Sequence, residues 1–418
     1  MLTIPTVQSV FHLMDEAPLN GAIKVEKDTL KFSIVNWFSG EYAKNKEYMY
    51  ENSFGFKNTC IRLHNQMYYS LFKKAKANGV IIGKDNCLYE LNYINAYLGK
   101  DYIGYNKSDS LFRRIKIIDD YCNMNNKKLV LIFAPGKASF YPEFIPDKYF
   151  NSSVDLKNTN YNSFIDLSNK YKLNYIDFNN YLMKNKKTST HKLYSKSGIH
   201  WSQYASVKCA DSAIKYFENL LKIDLNNIVI NSIEKKEVDG TDKDVIDGMN
   251  LLWPPKEYNL SYPNFGYNKG LDNGSKNAII VADSYYWQWN NFGFYGLFKN
   301  CSFYYYNNQN FEPNKEPQYV SQIDFNKKIQ ETDLVVILAT EANLSKFSWG
   351  FVDDFYNKVI NPSIKENYVD RKKLNEWKKI ILSSPAWVEG LKKESKNNNI
   401  SLDSAITMAA YYELSKQK

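Results

Sequence analysis

Residues 279–285 read Ile-Ile-Val-Ala-Asp-Ser-Tyr, an apolar run that ends in a small residue, an acid and a serine. A short and fully apolar run predicts a strand that is buried on both faces, as strands of parallel sheets are. The carboxyl end of such a strand opens into the crevice where α/β proteins bind ligands, and a tight turn there can expose a serine hydroxyl. The pattern therefore predicts that Ser284 lies at the edge of a parallel sheet.

The rest of the chain alternates between short apolar runs and stretches with helical periodicity. We predict strands at 79–85, 128–135, 174–178, 278–281 and 334–338, and helices at 58–75, 111–123, 161–171 and 202–221. Strands that alternate with helices favour an α/β fold with a mainly parallel sheet flanked by helices.

Three regions follow from the same patterns. Residues 1–75 form a predicted helical N-terminal region, and residues 76–360 form the α/β domain. A polar excursion rich in Asp, Asn, Gly and Pro interrupts that domain near 224–274. Residues 361–418 form a charged helical tail, in which we expect Trp377, Ile380, Trp387 and Leu391 to be the packing residues.

Composition excludes several classes of protein. Hydrophobic residues make up 44% of the chain and aromatic residues 16%, which is enough to pack a globular core. The formal charge of +9 is spread along the chain, so nucleic-acid binding is not indicated. The five cysteines lack a Cys-x-x-Cys pair and are interpreted as ordinary buried thiols, and only four histidines are present, so a disulfide scaffold or a zinc site is not expected. No apolar run is long enough to span a bilayer.

A second segment carries a candidate base. Residues 196–202 read Lys-Ser-Gly-Ile-His-Trp-Ser. A serine hydroxyl is a poor nucleophile at neutral pH, and imidazole has a pKa suited to taking its proton, so His200 is the candidate partner of Ser284. Structural roles remain open for both, because a serine after a strand commonly caps a helix or a turn, and a histidine beside a tryptophan is commonly a hydrogen-bonded structural residue. Ser202 can likewise cap the helix that follows.

These segments, taken in order, resemble one family. The chain carries Gly83-Lys84-Asp85, Pro135-Gly136-Lys137, Gly198-Ile199-His200-Trp201-Ser202, Ala282-Asp283-Ser284 and Thr340-Glu341-Ala342-Asn343-Leu344. This order is similar to that of the alginate O-acetylation proteins, a branch of the SGNH-hydrolase-like proteins in which the His-Trp motif precedes the serine motif. The resemblance implies an SGNH-hydrolase-like, flavodoxin-like α/β fold with helical N-terminal and C-terminal additions.

The resemblance also implies roles for individual residues. Ser284 would be the acyl-accepting nucleophile and His200 its general base, without a metal or a cofactor. The family frequently has an aspartate two residues before the histidine, and here that position is Gly198. Another carboxylate, Asp283 or Glu341, or a backbone carbonyl would then orient the imidazole. For Asp283, a structural hydrogen-bonding role in the turn is the alternative.

Substrate contacts are expected from residues beside these motifs. They are Lys137, Trp201, Tyr285 and Glu341. A solvated lysine is the alternative for Lys137. The rings that follow Ser284, Tyr285 to Trp287 and Trp289, are suited either to stacking on sugars or to core packing.

The function implied by the resemblance is O-acetyl transfer to hydroxyls of an extracytoplasmic polysaccharide through an acyl-serine intermediate. A membrane-bound O-acyltransferase partner would supply the acetyl group, which places the protein in the periplasm or at the outer face of the inner membrane. An anchor would then lie upstream of Met1, or the partner would hold the protein there. Two alternatives remain, a carbohydrate acetyl esterase and a noncatalytic glycan-binding component of an acetylation assembly.

Overall fold

The computed structural model describes residues 3–21, 31–150, 154, 156–360 and 371–397, together with residues 402, 405, 406, 409, 410 and 413. Its strands are β1 (Val80–Ile82), β2 (Leu88–Glu90), β3 (Lys128–Ala134), β4 (Tyr175–Asp177), β5 (Ile228–Lys236), β6 (Leu260–Tyr267), β7 (Asn277–Ala282), β8 (Asn300–Tyr305), β9 (Gln309–Phe311), β10 (Gln318–Tyr319) and β11 (Leu334–Thr340). Its α-helices are α1 (Thr3–Phe11), α2 (Ile34–Phe38), α3 (Glu41–Ser53), α4 (Lys57–Phe72), α5 (Leu91–Tyr97), α6 (Tyr105–Met124), α7 (Lys137–Phe140), α8 (Asn160–Lys170), α9 (Phe178–Asn185), α10 (Gln203–Leu221), α11 (Asp244–Gly248), α12 (Tyr286–Asn291), α13 (Phe325–Glu331), α14 (Phe351–Phe355), α15 (Arg371–Ser383) and α16 (Pro385–Asn397).

A seven-stranded sheet forms the centre of the fold. Its strand order is β10-β9-β8-β7-β11-β3-β4, and the five strands from β8 to β4 are parallel. Strand β9 pairs antiparallel with β8 on one side and with the edge strand β10 on the other. The predicted fold class, a mainly parallel α/β sheet flanked by helices, is therefore confirmed.

The middle strands are apolar because both of their faces are covered. All seven residues of β11 are buried, and so are five of the six residues of β7. Each fully buried Val, Leu or Ile stabilises the fold by about 1.5–3 kcal/mol relative to an exposed side chain. This explains why the runs at 278–281 and 334–338 show no alternation of apolar and polar residues.

The polar excursion is an ordered part of the fold. Strands β5 and β6 pair antiparallel as a separate hairpin outside the central sheet. Between them, a 3-10 turn at Gly240–Lys243 leads directly into α11. Backbone bonds join this connection to the histidine segment, since Ile246 N–H donates to the Ser197 carbonyl at 3.0 Å.

Two local expectations need correction. The predicted strand at 79–85 exists as β1, but it pairs with β2 in a two-stranded sheet of its own. Strand β8 was not predicted, because its mixed sequence Asn-Cys-Ser-Phe-Tyr-Tyr lacks both the apolar run and the strict alternation that indicate a strand.

The thiols also depart in part from expectation. All five cysteines are free, and four of them are buried as predicted, namely Cys87, Cys122, Cys209 and Cys301. Cys60 is exposed on α4. Among the described residues, no helix combines the length and the apolar character that crossing a membrane would require.

The chain divides into two compact units, residues 1–352 and residues 353–418. Within the second unit, Ile381 and Leu391 form a small core with Ala405, Ile406 and Ala410. Trp377 and Trp387 pack against that core, whereas Ile380 is 49% exposed, so its neighbour Ile381 takes the packing role expected of it. Residues 361–370, where the predicted tail begins, lie outside the described residues.

Candidate active site

Ser284 follows strand β7 by two residues, at the carboxyl edge of the central sheet. Asp283 and Ser284 form the turn into α12, because Tyr286 N–H donates to the Asp283 carbonyl and Trp287 N–H to the Ser284 carbonyl. The side chain of Ser284 is half-buried. The turn therefore exposes a hydroxyl at the place where the sequence predicts it.

His200 lies against this serine although 84 residues separate the two in the chain. Its Nε2 atom is 3.0 Å from Ser284 Oγ, which is hydrogen-bonding distance. Ser202 caps α10, accepting from Ala205 N–H at 3.1 Å, so the expected capping role is present as well. The cap fixes where α10 begins, and the histidine segment enters the site just before it.

Asp244, which sequence reasoning missed, contacts the other side of the imidazole. Its Oδ2 lies 2.5 Å from His200 Nδ1. Its Oδ1 accepts from the backbone N–H groups of Ile199 at 2.9 Å and Val245 at 2.8 Å. The two backbone N–H groups hold the Asp244 carboxylate in position, and its hydrogen bond to Nδ1 sets the orientation of the His200 ring. Two consecutive hydrogen bonds thus link Ser284 to His200 and His200 to Asp244.

Gly198 explains why the acid comes from elsewhere. A Cβ atom at this position would lie 2.7 Å from the backbone carbon and oxygen of Asp242, and 2.7 Å from the carbonyl oxygen of Thr241. Backbone at 241–242 therefore occupies the space that a side chain at 198 would need, and glycine permits this close approach. The same connection carries Asp244 to the imidazole two residues later.

The charges around His200 favour its protonated form. Burial by itself lowers the pKa of the imidazole, but the hydrogen bond and the charge of Asp244, together with the charges of Asp283 and Glu90, outweigh it and raise the pKa above the ordinary 6.5. A raised pKa makes His200 a stronger base toward the serine proton. The ring is therefore adapted to hold a proton during a reaction.

Asp283, the sequence-predicted candidate for orienting His200, bonds to other groups. Its Oδ2 accepts from Thr340 N–H at 2.7 Å and Asn343 Nδ2 at 2.8 Å, and its Oδ1 accepts from Tyr285 N–H at 3.1 Å. The carboxyl is fully buried, and burial raises its pKa. It ties the end of β7 to the end of β11, which is the structural role left open by the sequence, and the contact with the imidazole belongs to Asp244.

Lys137 was expected to contact a ligand, but it is completely buried. Its Nζ donates to the carbonyls of Lys196 at 2.9 Å and Gly198 at 2.5 Å. Burial lowers the pKa of this amine. Because the side chain of Lys137 is buried, it is accessible neither to a ligand nor to solvent, and the expectation of a solvated lysine is also wrong. The lysine instead holds the backbone that leads into His200.

Trp201 and Tyr285 were also expected at a substrate surface, and both are fully buried. Trp201 stacks on Trp289 at 5.7 Å between ring centroids, and the Tyr285 hydroxyl donates to the Ile199 carbonyl at 2.8 Å. Of the rings after Ser284, only Trp287 is partly exposed. These residues pack against the buried side of the histidine segment.

Glu341 does not contact His200 either. It accepts hydrogen bonds from the Ser139 hydroxyl and the Gly136 backbone N–H. Burial raises its pKa to about 7, and those two donors lower it only in part. With 5% exposure it offers almost no surface to a substrate, and it ties the loop after β3 to the end of β11.

A second missed residue is Tyr306, which follows β8. Its hydroxyl lies near the Ser284 side chain, and burial raises its pKa, so the phenol stays protonated. Its backbone has a φ of 49°, a left-handed conformation that is rare for an aromatic residue. Residues in strained backbone conformations are found most often at functional sites, and Tyr306 is such a residue next to the serine.

A hydrogen-bonded Ser-His-Asp chain at the carboxyl edge of a parallel sheet is the arrangement of serine-dependent acyl-transfer proteins. Residues 80–240 match the family described as "SGNH hydrolase-like domain, acetyltransferase AlgX". This match covers less than half of the chain, and it is to the family that the sequence motifs resemble. The matched segment includes His200 and ends before Asp244 and Ser284.

The chain is also similar, at low identity, to several solved structures. The O-acetyltransferase domain of Pseudomonas putida AlgJ is 17% identical, with a TM-score of 0.43 over 67% of this chain and 99% of that one. Bacillus cereus PatB1 is 13% identical, with a TM-score of 0.42 over 65% and 99%. Pseudomonas aeruginosa AlgX is 13% identical, with a TM-score of 0.40 over 66% of each chain. No curated protein sequence matches the chain.

Metal ligands do not gather in the part of the chain that the structure describes. No group of three or more His, Cys, Asp or Glu side chains there is arranged to hold a metal ion.

Proposed function

We propose that this protein is an O-acetyltransferase that modifies hydroxyls of an extracytoplasmic polysaccharide through an acetyl-Ser284 intermediate. The observation that carries the proposal is the continuous chain of hydrogen bonds from Ser284 through His200 to Asp244. The match of residues 80–240 to an acetyltransferase family supports the choice of acyl group.

The first half of the reaction loads the serine. Ser284 Oγ attacks the acetyl carbonyl carbon while its proton passes to His200 Nε2. The tetrahedral intermediate then collapses: the bond from the acetyl carbon to the donor's leaving atom breaks, and the proton on Nε2 goes to that atom. Asp244 stabilises the imidazolium that exists between the two transfers.

The negative oxygen of the tetrahedral intermediate needs donors that are already in place. The Ser284 backbone N–H, at the start of the turn into α12, is the first. The Tyr306 hydroxyl is our candidate for the second, because it lies near the serine side chain and burial keeps it protonated. Loss of one such donor typically slows catalysis by about 10²–10³-fold.

The second half of the reaction unloads the serine. A sugar hydroxyl gives its proton to His200 Nε2 and attacks the acetyl carbon, forming the new ester. The bond from that carbon to Ser284 Oγ breaks, and the serine recovers a proton from Nε2. In the proposed setting, a membrane-bound O-acyltransferase provides the acetyl donor outside the cytoplasm.

Intact mass spectrometry tests the proposal. We expect the wild-type protein to gain one acetyl group on exposure to an activated acetyl ester, and we expect the group to map to Ser284. Ser284→Ala and His200→Ala should gain none. An adduct that persists at the same level in Ser284→Ala would place the chemistry elsewhere.

The fate of the acetyl group separates transfer from hydrolysis. With a glycan acceptor present, a transferase yields acetylated sugar, whereas an esterase yields only acetate. In cells that acetylate their polysaccharide, Ser284→Ala should abolish the modification. Unchanged acetylation in those cells would instead support a noncatalytic role.

The pH dependence of acetylation should follow His200. The imidazole acts as a base only when neutral, and its pKa is raised above 6.5, so the rate should rise with pH and reach half its maximum above pH 6.5. Glu90→Gln removes one of the charges that raise this pKa, and the acid limb should move to lower pH. Glu143→Gln, whose carboxylate pairs with Lys186 instead, is the control. An unchanged profile in Glu90→Gln would contradict this electrostatic assignment.

A further inference from the structure

Four aromatic rings form a continuous row at the carboxyl edge of the sheet beside Ser284. Neighbouring ring centroids are 5.6 Å apart for Trp287 and Tyr305, 4.5 Å for Tyr305 and Tyr306, and 5.2 Å for Tyr306 and Trp349. Each of the four side chains is partly exposed, unlike the buried rings of Tyr285, Tyr286 and Trp289. The row therefore offers apolar surface to a ligand at the reacting hydroxyl.

The register of the sheet fixes the row in place. Tyr305 is the last residue of β8 and pairs with Ala282, the last residue of β7. The next residue, Tyr306, donates its backbone N–H to the Ala282 carbonyl at 2.9 Å. The sheet thus holds the backbone of Tyr305 and Tyr306 beside the turn that carries Ser284.

The other end of the row is held under backbone strain. Ser348, Trp349 and Gly350 have φ values of 64°, 47° and 86°, three consecutive left-handed residues. A bulky residue such as tryptophan rarely adopts this conformation. The Asn307 side chain donates to the Trp349 carbonyl at 3.2 Å and helps to hold the turn. Strain of this kind is typical of segments that present a side chain to a ligand.

We propose that Trp287, Tyr305, Tyr306 and Trp349 form an aromatic track that binds consecutive sugar rings of the acceptor glycan. One face of a pyranose ring carries mainly C–H groups and packs on aromatic rings, while its hydroxyls point outward. The spacing of the four rings is comparable with the length of one sugar residue. This inference rests on the proposed function, because Ser284 defines where the acceptor hydroxyl must arrive.

Direct binding tests the track without turnover. The Ser284→Ala protein is titrated by calorimetry with three β-1,4-linked hexasaccharides, those of glucose, N-acetylglucosamine and mannuronate. We expect at least one of them to bind. Adding Trp349→Ala should raise its Kd about five- to tenfold, and Trp349→Phe should recover most of the affinity.

Trp253→Ala is the matched control, because Trp253 is 69% exposed and is not one of the four rings. Its Kd should equal that of the parent protein. The track is wrong if none of the three hexasaccharides binds, or if Trp349→Ala binds as tightly as the parent.

The binding test of the aromatic track and the acetyl-adduct test of the proposed function can fail independently. An acetyl adduct on Ser284 without any dependence of glycan binding on Trp349 overturns the track alone. Binding that depends on Trp349 in a protein that never forms the adduct supports the track and overturns the acyltransferase assignment, leaving a glycan-binding component.

Discussion

Asp244→Asn should slow acetylation of Ser284 by about 10³–10⁴-fold while the protein remains folded. Two backbone N–H groups, of Ile199 and Val245, point at Oδ1, so the oxygen of an asparagine would turn toward them. Its NH₂ group would then face His200 Nδ1, which could only accept, and the ring proton would move to Nε2. An imidazole protonated at Nε2 cannot take the proton of Ser284.

The rate of adduct formation measures this effect. Asp247→Asn is the matched control, because Asp247 lies on the same short helix and its carboxylate pairs with Lys243 at 3.6 Å. That variant should react at the wild-type rate. If Asp244→Asn keeps its rate within a factor of ten and melts at the wild-type temperature, Asp244 is not the residue that orients His200.

Gly198→Asp, which would restore the acid that the family frequently carries there, should destabilise the protein and fail to rescue Asp244→Asn. Even its Cβ atom would meet the backbone of Thr241 and Asp242 at 2.7 Å, and backbone yields far less readily than a flexible side chain. Overpacking of this kind costs about 1–3 kcal/mol of unfolding free energy. Moving the 241–242 backbone would also displace Asp244 from the imidazole.

Denaturant unfolding of a glycine pair isolates the steric part. Gly198→Ala adds only the Cβ atom and should lower the free energy of unfolding by about 1–3 kcal/mol. Gly248→Ala adds the same atom at the exposed last residue of α11, where nothing lies within 4 Å, and should be neutral or slightly stabilising. Equal midpoints for the two variants would show that the close approach at Gly198 is not restrictive. Activity of the double variant Gly198→Asp, Asp244→Asn would show that the ordinary family arrangement fits this chain after all.

The orienting acid could not be predicted from the sequence. Asp244 lies in a segment rich in polar residues, where residues 242–247 read Asp-Lys-Asp-Val-Ile-Asp, and no motif distinguishes it from the acids beside it. The sequence shows that residue 198 is glycine, so the orienting acid does not come from that position. The sequence does not indicate which other acid takes this role. Two other acids lay inside recognisable motifs and were the better candidates by sequence, yet Asp283 and Glu341 bond to groups at the ends of β3, β7 and β11.

The substrate contacts failed for a related reason. Lys137, Trp201 and Tyr285 stand next to motif residues, and proximity in sequence suggested proximity to a ligand. Each of them instead supports a motif residue from the buried side, where its hydrogen bonds and ring contacts position the backbone of His200. The partly exposed rings near Ser284 are Trp287, Tyr305, Tyr306 and Trp349. Tyr305 ends strand β8 and Tyr306 follows it, and that strand lacks a recognisable pattern.

An apolar run, a turn and a helix cap each involve residues adjacent in the chain, so the sequence predicts the fold class and the position of Ser284 at the end of a buried strand. His200 lies 84 residues away, and its pairing with Ser284 was predicted from the chemistry of imidazole and from the family resemblance. Long-range contacts settle two points that local patterns leave open. Asp244 reaches the imidazole on the connection whose backbone packs against Gly198, and Lys137 is buried with its Nζ bonded to the carbonyls of Lys196 and Gly198. Each contact joins segments more than forty residues apart, and close packing rather than composition selects it.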